Sequence, residues 1–376
     1  MTLQSKNILI MEKKSNKFDH LKKLGFYLLF IEEFIPSVVF PIILTSELEI
    51  QIEQKIRDLS RHKKISHVLC FNDKLQLFVS TLCSNLNIHY MLTIEQCELI
   101  YNKFKLRKLL TKYQIDNIES LELTSNYLEE IDSFLQKNDT IILKPKNGTA
   151  SEKIYKLKPD IFLQEVSFYN KLLNRDYINF FIETYIKGKE FSIESFSFNG
   201  RHYIYGITEK FINKDFIEIA HIVNIDIKGY LKEKIISFML EVLNTLQIKD
   251  GAMHSEIIVD DADNIHLVET QCRLGGDFIP FLYQISSSYS MNPNNICYEL
   301  IVSDYRSEQI VKDISFSNTA GIFFITNNFQ FLIEEIKNCF YLNKSYKTPN
   351  YARLGFAIFC DEDYSIVKKQ IISLTK

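Results

Sequence analysis

Tryptophan is missing from this sequence, and none of its seven cysteines belongs to a C-x-x-C pair. Lysine, isoleucine and asparagine are abundant, so the missing tryptophan reads as base-composition bias in the gene more than as a functional signal. The cysteines, at 70, 83, 97, 272, 297, 339 and 360, are odd in number and scattered. They read as reduced, mostly buried thiols of a cytoplasmic protein. Cys272 points away from the face of Glu269 and reads as core. No apolar run has membrane-spanning length: the longest, near 26–31 and 37–44, are broken by Glu32, Glu33 and Pro36. The opening residues TLQSKNILIMEKKSNK hold too short an apolar run for a secretory segment, and lysines follow it directly. Charge of one sign is not in excess: the net charge is −3 and the pI about 6.3, so no bulk pull toward nucleic acid is expected. No G-x-G-x-x-G follows the first apolar run, which excludes a dinucleotide fingerprint. Low-complexity segments and internal repeats are also lacking.

What is present is a globular balance, 46% apolar and 24% charged over 376 residues, enough for two or three packed units. NILIME (7–12) reads as a buried strand, 27–31 as a second and 41–45 as a third, with helical stretches between, which implies an open α/β unit. SHVLCFNDKLQ follows as strand, loop and helix, with Asn72 and Asp73 suited to a purely structural cap. A basic helix, CELIYNKFKLRKLLTKYQI, comes next. TIILK and IYKL read as short strands around the turn-forming loop KNGTASEK. YINFFIETYIKGKEFSIESFSFNGRHYIYGITEKF alternates like a β-meander with turns at KGK and NG. Residues 229–247 read as an amphipathic helix.

The stretch around which the chain is organised is 254–277, HSEIIVDDADNIHLVETQCRLGGD. Apolar and polar residues alternate on both sides of DADN, so it reads as a hairpin. With 261–264 as the loop, Glu256 faces Glu269, and Gln271 and Arg273 share the face of Glu269. Like charges directly opposite are destabilising. Two facing carboxylates beside an amide oxygen suit a hard divalent cation such as Mg²⁺, and Arg273 suits phosphate or carboxylate oxygens. Alone, the pair also reads as an amphipathic hairpin with a solvated acidic face.

The spacing E-x12-E-x-Q-x-R followed by GGD resembles the metal-binding end of the ATP-grasp enzymes, and further pieces of that pattern occur upstream in order. N-K-F-K-L-R-K-L-L resembles the helix whose lysine meets the ATP phosphates, which implies Lys103. Lys144 and the loop with Thr149 and Ser151 resemble the phosphate lid, although Ala150 and Lys153 stand where glycine is common. E-T-Y-I-K-G-K-E resembles the adenine hinge. It implies Glu183 on the adenine amino group, the backbone of Tyr185 and Ile186 on the adenine edge, and Glu190 on the ribose. Glu256, Glu269 and Gln271 would hold one or two Mg²⁺ ions, with Mn²⁺ as an alternative; Gln271 departs from the usual asparagine by one methylene. Arg273 and Lys144 would serve the chemistry. Glu218, His221, Gly275, Gly276 and Asp277 would enclose the carboxylate substrate, although His221 alone reads more readily as structural.

The resemblance implies an ATP-grasp fold of mixed α/β and α+β class. An open α/β unit would occupy 1–94. An ATP-grasp domain would occupy 95–317, with a nucleotide lobe at about 110–188 and a metal and substrate lobe at about 189–317. A small α+β subdomain would occupy 318–376 and resembles that of dipeptide-forming (L-amino acid) ligases. The implied reaction joins a small carboxylate to an amine through an acyl phosphate, with ATP as substrate and with no nucleic acid or membrane partner. A thiol or carrier-bound nucleophile stays open, as does a nucleotide-binding protein without turnover. The oligomeric state is open too, a homodimer being the commonest assembly on general grounds.

Overall fold

Short runs of β-branched and aromatic residues build three separate sheets in the computed structural model of this protein. The structure describes residues 7–375 apart from 36–37, 39, 41, 149–151, 215, 303–313, 327–338 and 344–352.

The first sheet is parallel, with β1 (Asn7–Ile10) between β2 (Tyr27–Phe30) and β3 (Ile65–Leu69). Ile8, Leu9 and Ile10 are wholly buried, as expected for a central strand covered on both faces. The strand expected over 41–45 does not form at 42–45, and residue 41 lies outside the described residues. Residues 42–45 are irregular and lead into the helix Ser46–His62, whose N-cap is Thr45: its Oγ1 accepts from Leu48 N at 3.2 Å. A cap of this kind satisfies an otherwise orphaned N–H, and the third place in the sheet goes to β3.

The second sheet has the order β4-β7-β5-β6, from β4 (Ser120–Glu122), β5 (Ile141–Pro145), β6 (Tyr155–Leu157) and β7 (Phe180–Thr184). All its pairings are antiparallel. The helices Tyr127–Lys137 and Pro159–Leu173 cover it. Ile131, Phe134, Phe162, Tyr169 and Leu173 join Ile141, Leu143, Phe180 and Ile182 in a core of their own. Each of these fully buried side chains contributes on the order of 1.5–3 kcal/mol. This core is separate from the main one.

The third sheet is antiparallel, with the order β12-β11-β8-β9-β10-β13-β15-β14. Its strands are β8 (Gly188–Phe198), β9 (Arg201–Ile212), β10 (Glu218–Val223), β11 (Gly251–Asp260), β12 (Ile265–Gln271), β13 (Thr319–Thr326), β14 (Tyr341–Asn343) and β15 (Arg353–Asp361). The helix Gly229–Thr245 and those after β12 pack on it, in one core continuous with that of the first sheet. The closing strands extend this sheet through the pairing of β10 with β13. The supposed turn at KGK is instead a crossing: β7 lies in the second sheet and β8 in the third. Alternation continues through the crossing, so periodicity could not reveal it. At Gly188 a Cβ would lie 2.2 Å from the Val259 carbonyl, so only glycine lets β8 enter beside β11 here.

Among the described residues no helix is long and apolar enough to cross a membrane, and all seven cysteines are free. Burial pushes the Cys272 thiol well above its ordinary value, which makes it an inert core group.

Candidate active site

The hairpin of β11 and β12 pairs Glu256 with Glu269, Ser255 with Thr270 and His254 with Gln271. The turn itself is one residue out from the expected register, because Val259, not Asp260, pairs with Ile265. A bulge between Glu256 and Ile257 restores the alignment: Val268 is the extra residue, and bulges of this kind re-aim side chains near sites. Asp260 fixes the turn by accepting from Ala262 N at 2.9 Å and Asn264 N at 2.7 Å.

Glu256 Oε1 lies 2.7 Å from Lys210 Nζ, and Glu269 Oε2 lies 2.8 Å from Lys103 Nζ. Gln271 Nε2 donates to Glu269 Oε1 at 2.8 Å, which leaves Gln271 Oε1 buried without a hydrogen-bond partner among the described residues. An orphaned amide oxygen beside two carboxylates is a fit for an oxygen-ligated hard cation. Burial would pull Lys103 down, but Glu269 beside it holds it above its ordinary value. Burial alone would likewise lower Lys210; Glu218, Glu256 and Glu190 around it keep it well above the usual range.

On the lysine-rich side of the site, Asn102 caps the helix Lys103–Lys112, accepting from Lys105 N at 3.0 Å. Lys103 Nζ also donates to the Gly148 carbonyl at 2.6 Å. Lys144 is the last residue but one of β5, with its ammonium 2.6 Å from Glu183 Oε1. The other Glu183 oxygen accepts from Arg107 Nε at 3.2 Å. Both carboxylate oxygens of Glu183 are thus held by cations, and the residue lines the cavity. The N–H of Tyr185 is also committed, to the Thr140 carbonyl at 3.1 Å. Tyr185 and Ile186 both line the cavity. Glu190 is pushed up to about 7, first by burial and then by Glu256 and Glu218, against the pull of Lys210. Ser151 and Thr149 lie outside the described residues.

At the far end, Arg273 Nε donates to Asp73 Oδ2 at 2.9 Å and Nη1 to the Leu274 carbonyl at 2.9 Å. Asp73 therefore does more than begin a helix: Asn72 supplies the cap, accepting from Lys74 N at 3.1 Å. Glu218, beside Lys210, lines the cavity together with Gly276 and Asp277. His221 does not. It is fully buried behind them, with Nε2 3.2 Å from Glu218 Oε2 and 4.0 Å from Asp277 Oδ2. Burial holds the imidazole below its usual value. Gly275 is also behind the wall, its N–H given to Glu194 Oε2 at 3.3 Å, so that donor is not open to a ligand as expected. Asp277 Oδ1 is held by Arg353 Nη1 at 2.7 Å, and the Arg353 guanidinium stacks 3.6 Å over Phe324.

One cavity of about 420 Å³ connects these parts. Its walls carry Lys103, Lys144, Glu183, Tyr185, Ile186, Glu190, Glu218, Glu256, Glu269, Gln271, Arg273, Gly276 and Asp277, with Asp73 and Lys74 from the first unit. Sequence reasoning missed Asp73, Arg107, Lys210, Glu194, His254 and Arg353. Only Arg107 left a signal: it lies one helical turn after Lys103, on the same face.

Residues 137–280 match the family model of the ATP-grasp domain. Among curated proteins, none matches the sequence significantly. Several solved structures share the fold over nearly the whole chain. An L-amino acid ligase from Bacillus licheniformis superimposes with a TM-score of 0.77 at 17% identity, covering 100% of this chain and 98% of that one. A phosphoribosylglycinamide synthetase from Anaerococcus prevotii gives 0.68 at 15% identity, covering 99% and 98%. A carboxyaminoimidazole ribonucleotide synthase from Aspergillus clavatus, complexed with ATP, gives 0.72 at 13%, covering 99% and 97%. Residues 137–280 thus match the ATP-grasp domain model, and nearly the whole chain has the ATP-grasp fold.

Proposed function

We propose that this protein is an ATP-dependent carboxylate–amine ligase that forms an amide bond through an acyl phosphate and releases ADP and phosphate. The observation that carries this reading is the single cavity joining a lysine-rich end, an oxygen-donor cluster and an acidic, arginine-backed end. ATP would lie with its adenine against the crossing at Tyr185 and Ile186 and its ribose near Glu190, with its phosphates between Lys103 and Lys144. Glu256, Glu269 and Gln271 would hold one or two Mg²⁺ ions, which supply charge neutralisation on the phosphate oxygens when bound. The buried, donor-less Gln271 Oε1 supports that assignment.

A substrate carboxylate beside Arg273 would attack the γ-phosphorus, displace ADP and become an acyl phosphate. The amine then attacks the acyl carbon, phosphate leaves, and the amine loses a proton. Arg273 would steady the phosphoryl oxygens and the tetrahedral oxyanion. Asp73 holds that guanidinium through Nε, so its direction is set before substrate arrives. Tilting of the second-sheet lobe would exclude water from the acyl phosphate.

The substrates are small metabolites of the amino-acid kind. Glu218 and Asp277 both line the cavity, each with a carboxylate oxygen within 4.8 Å of the other's. Two carboxylates at this end suit the ammonium of an amino acid, since carboxylates only accept. The ligase from Bacillus licheniformis, which shares the fold, supports the same choice. The test is to mix the protein with Mg-ATP and pairs of amino acids and to follow ADP, phosphate and peptide product by mass spectrometry. Stoichiometric ADP and amide supports the reading, and ATP binding with no ADP from any pair overturns it.

A further inference from the structure

Beneath the cavity floor lies a carboxylate that the chemistry above leaves unused. Glu194, on β8, is completely buried. A buried carboxylate is tolerated only when it is paired and its lone pairs are met. Three donors converge on it: Ser192 Oγ at 3.0 Å and His254 Nδ1 at 2.7 Å on Oε1, and the Gly275 N–H at 3.3 Å on Oε2. His254 is its direct cross-strand neighbour on one side and the neighbour of Gln271 on the other. With Nδ1 fixed by Glu194, the ring presents Nε2 to Glu256 Oε1 at 3.4 Å. The second contact, to Gly275, leaves little room for a side chain: a Cβ there would lie 3.0 Å from His254 Nδ1 and 3.1 Å from each Glu194 oxygen.

We infer that Glu194 and His254 are positioning residues that lock the metal-holding and substrate-holding ends of the site in one register. Glu194 turns His254 so that Nε2 steadies the Glu256 carboxylate. Its other oxygen pins the Gly275–Asp277 turn to the same strand, and Asp277 in turn reaches Arg353. The inference rests on the proposed function only in taking Glu256 as a cation ligand. Groups that orient a ligand in this way cost about 10- to 100-fold in metal affinity when replaced.

The test is a Mn²⁺ titration by EPR, in the presence of a non-hydrolysable ATP analogue, on the full chain carrying His254→Gln and, separately, Glu194→Gln. Far-UV circular dichroism verifies the fold. Glu194→Gln keeps the size and an oxygen for the Gly275 N–H, so it serves if His254→Gln does not fold. The expected result is Mn²⁺ affinity lower by about 10-fold or more, with metal-free binding of the analogue unchanged. Wild-type Mn²⁺ affinity in the folded variants overturns the inference, as does equal weakening of metal and nucleotide, which marks a general structural role. Wild-type protein that takes up no Mn²⁺ with the analogue overturns it as well. Wild-type protein that binds Mn²⁺ but never ligates defeats the proposed function alone.

Discussion

Replacing Arg107 by methionine tests whether the site is built on a buried charge clamp. The guanidinium is 3% exposed and spans two sheets. It reaches Glu183 on β7 at 3.2 Å, Asp116 at 2.8 Å and the Leu267 carbonyl on β12 at 2.6 Å. Methionine keeps the apolar stem and removes every one of these donors. Asp116 then retains only Leu267 N at 2.9 Å and His266 Nδ1 at 3.0 Å, and Glu183 retains only Lys144. Breaking a buried pair from one side costs roughly 3–5 kcal/mol. The surviving partners cushion the two carboxylates, and the orphaned Leu267 carbonyl adds about 1 kcal/mol or more. A total of about 3–5 kcal/mol is expected, a large part of the ~5–15 kcal/mol that keeps most domains folded. Urea unfolding followed by far-UV circular dichroism measures it, since the chain has no tryptophan to report by fluorescence. ATP affinity should fall in parallel, because the same guanidinium ties the second sheet to the hairpin. A loss below about 1 kcal/mol, the worth of one ordinary hydrogen bond, refutes the clamp.

Asp73→Asn should lower the turnover number by about 10-fold or more, as loss of an orienting partner does, while the KM for ATP stays near wild type. A raised KM with unchanged turnover would place Asp73 in nucleotide binding. Lys144→Ala should weaken ATP binding, read by isothermal titration calorimetry; unchanged affinity removes the lysine from the phosphate end. His266 is held above its ordinary value of 6.5, first by its hydrogen bond to Asp116 and then by the charges of Asp116 and Asp260, against burial. Its contribution is therefore complete below pH 6.5 and is lost as pH rises through the higher folded value, because the native state there binds more protons than the unfolded one. Urea midpoints across that window should fall with pH in wild type and flatten in His266→Gln; parallel slopes contradict the assignment.

The hairpin was legible because strict alternation on both sides of DADN fixes which residues share a face. The pairing of Glu256 with Glu269 survived a turn register wrong by one only because the bulge at Val268 cancels the error. The strands at TIILK and IYKL and the helix read over 229–247 were legible for the same reason, since periodicity is local. Partners remote in sequence were not. Arg107 meets Glu183 and Leu267, and Arg273 meets Asp73, across 76, 160 and 200 positions. Lys210 and Arg353 sit in strands whose alternation gives no hint of what they face. The commitments of Glu183, Tyr185 N–H and Gly275 N–H were invisible likewise, because they depend on how sheets approach one another rather than on any local pattern.

The most direct measurement is ADP release by the purified protein with Mg-ATP, one amino acid, and then two. ADP should appear in step with amide only when both carboxylate and amine are supplied, and it should vanish in Glu269→Ala and Arg273→Ala, which keep the fold. ADP release at the wild-type rate in either variant, or none from wild type with any pair, contradicts the account.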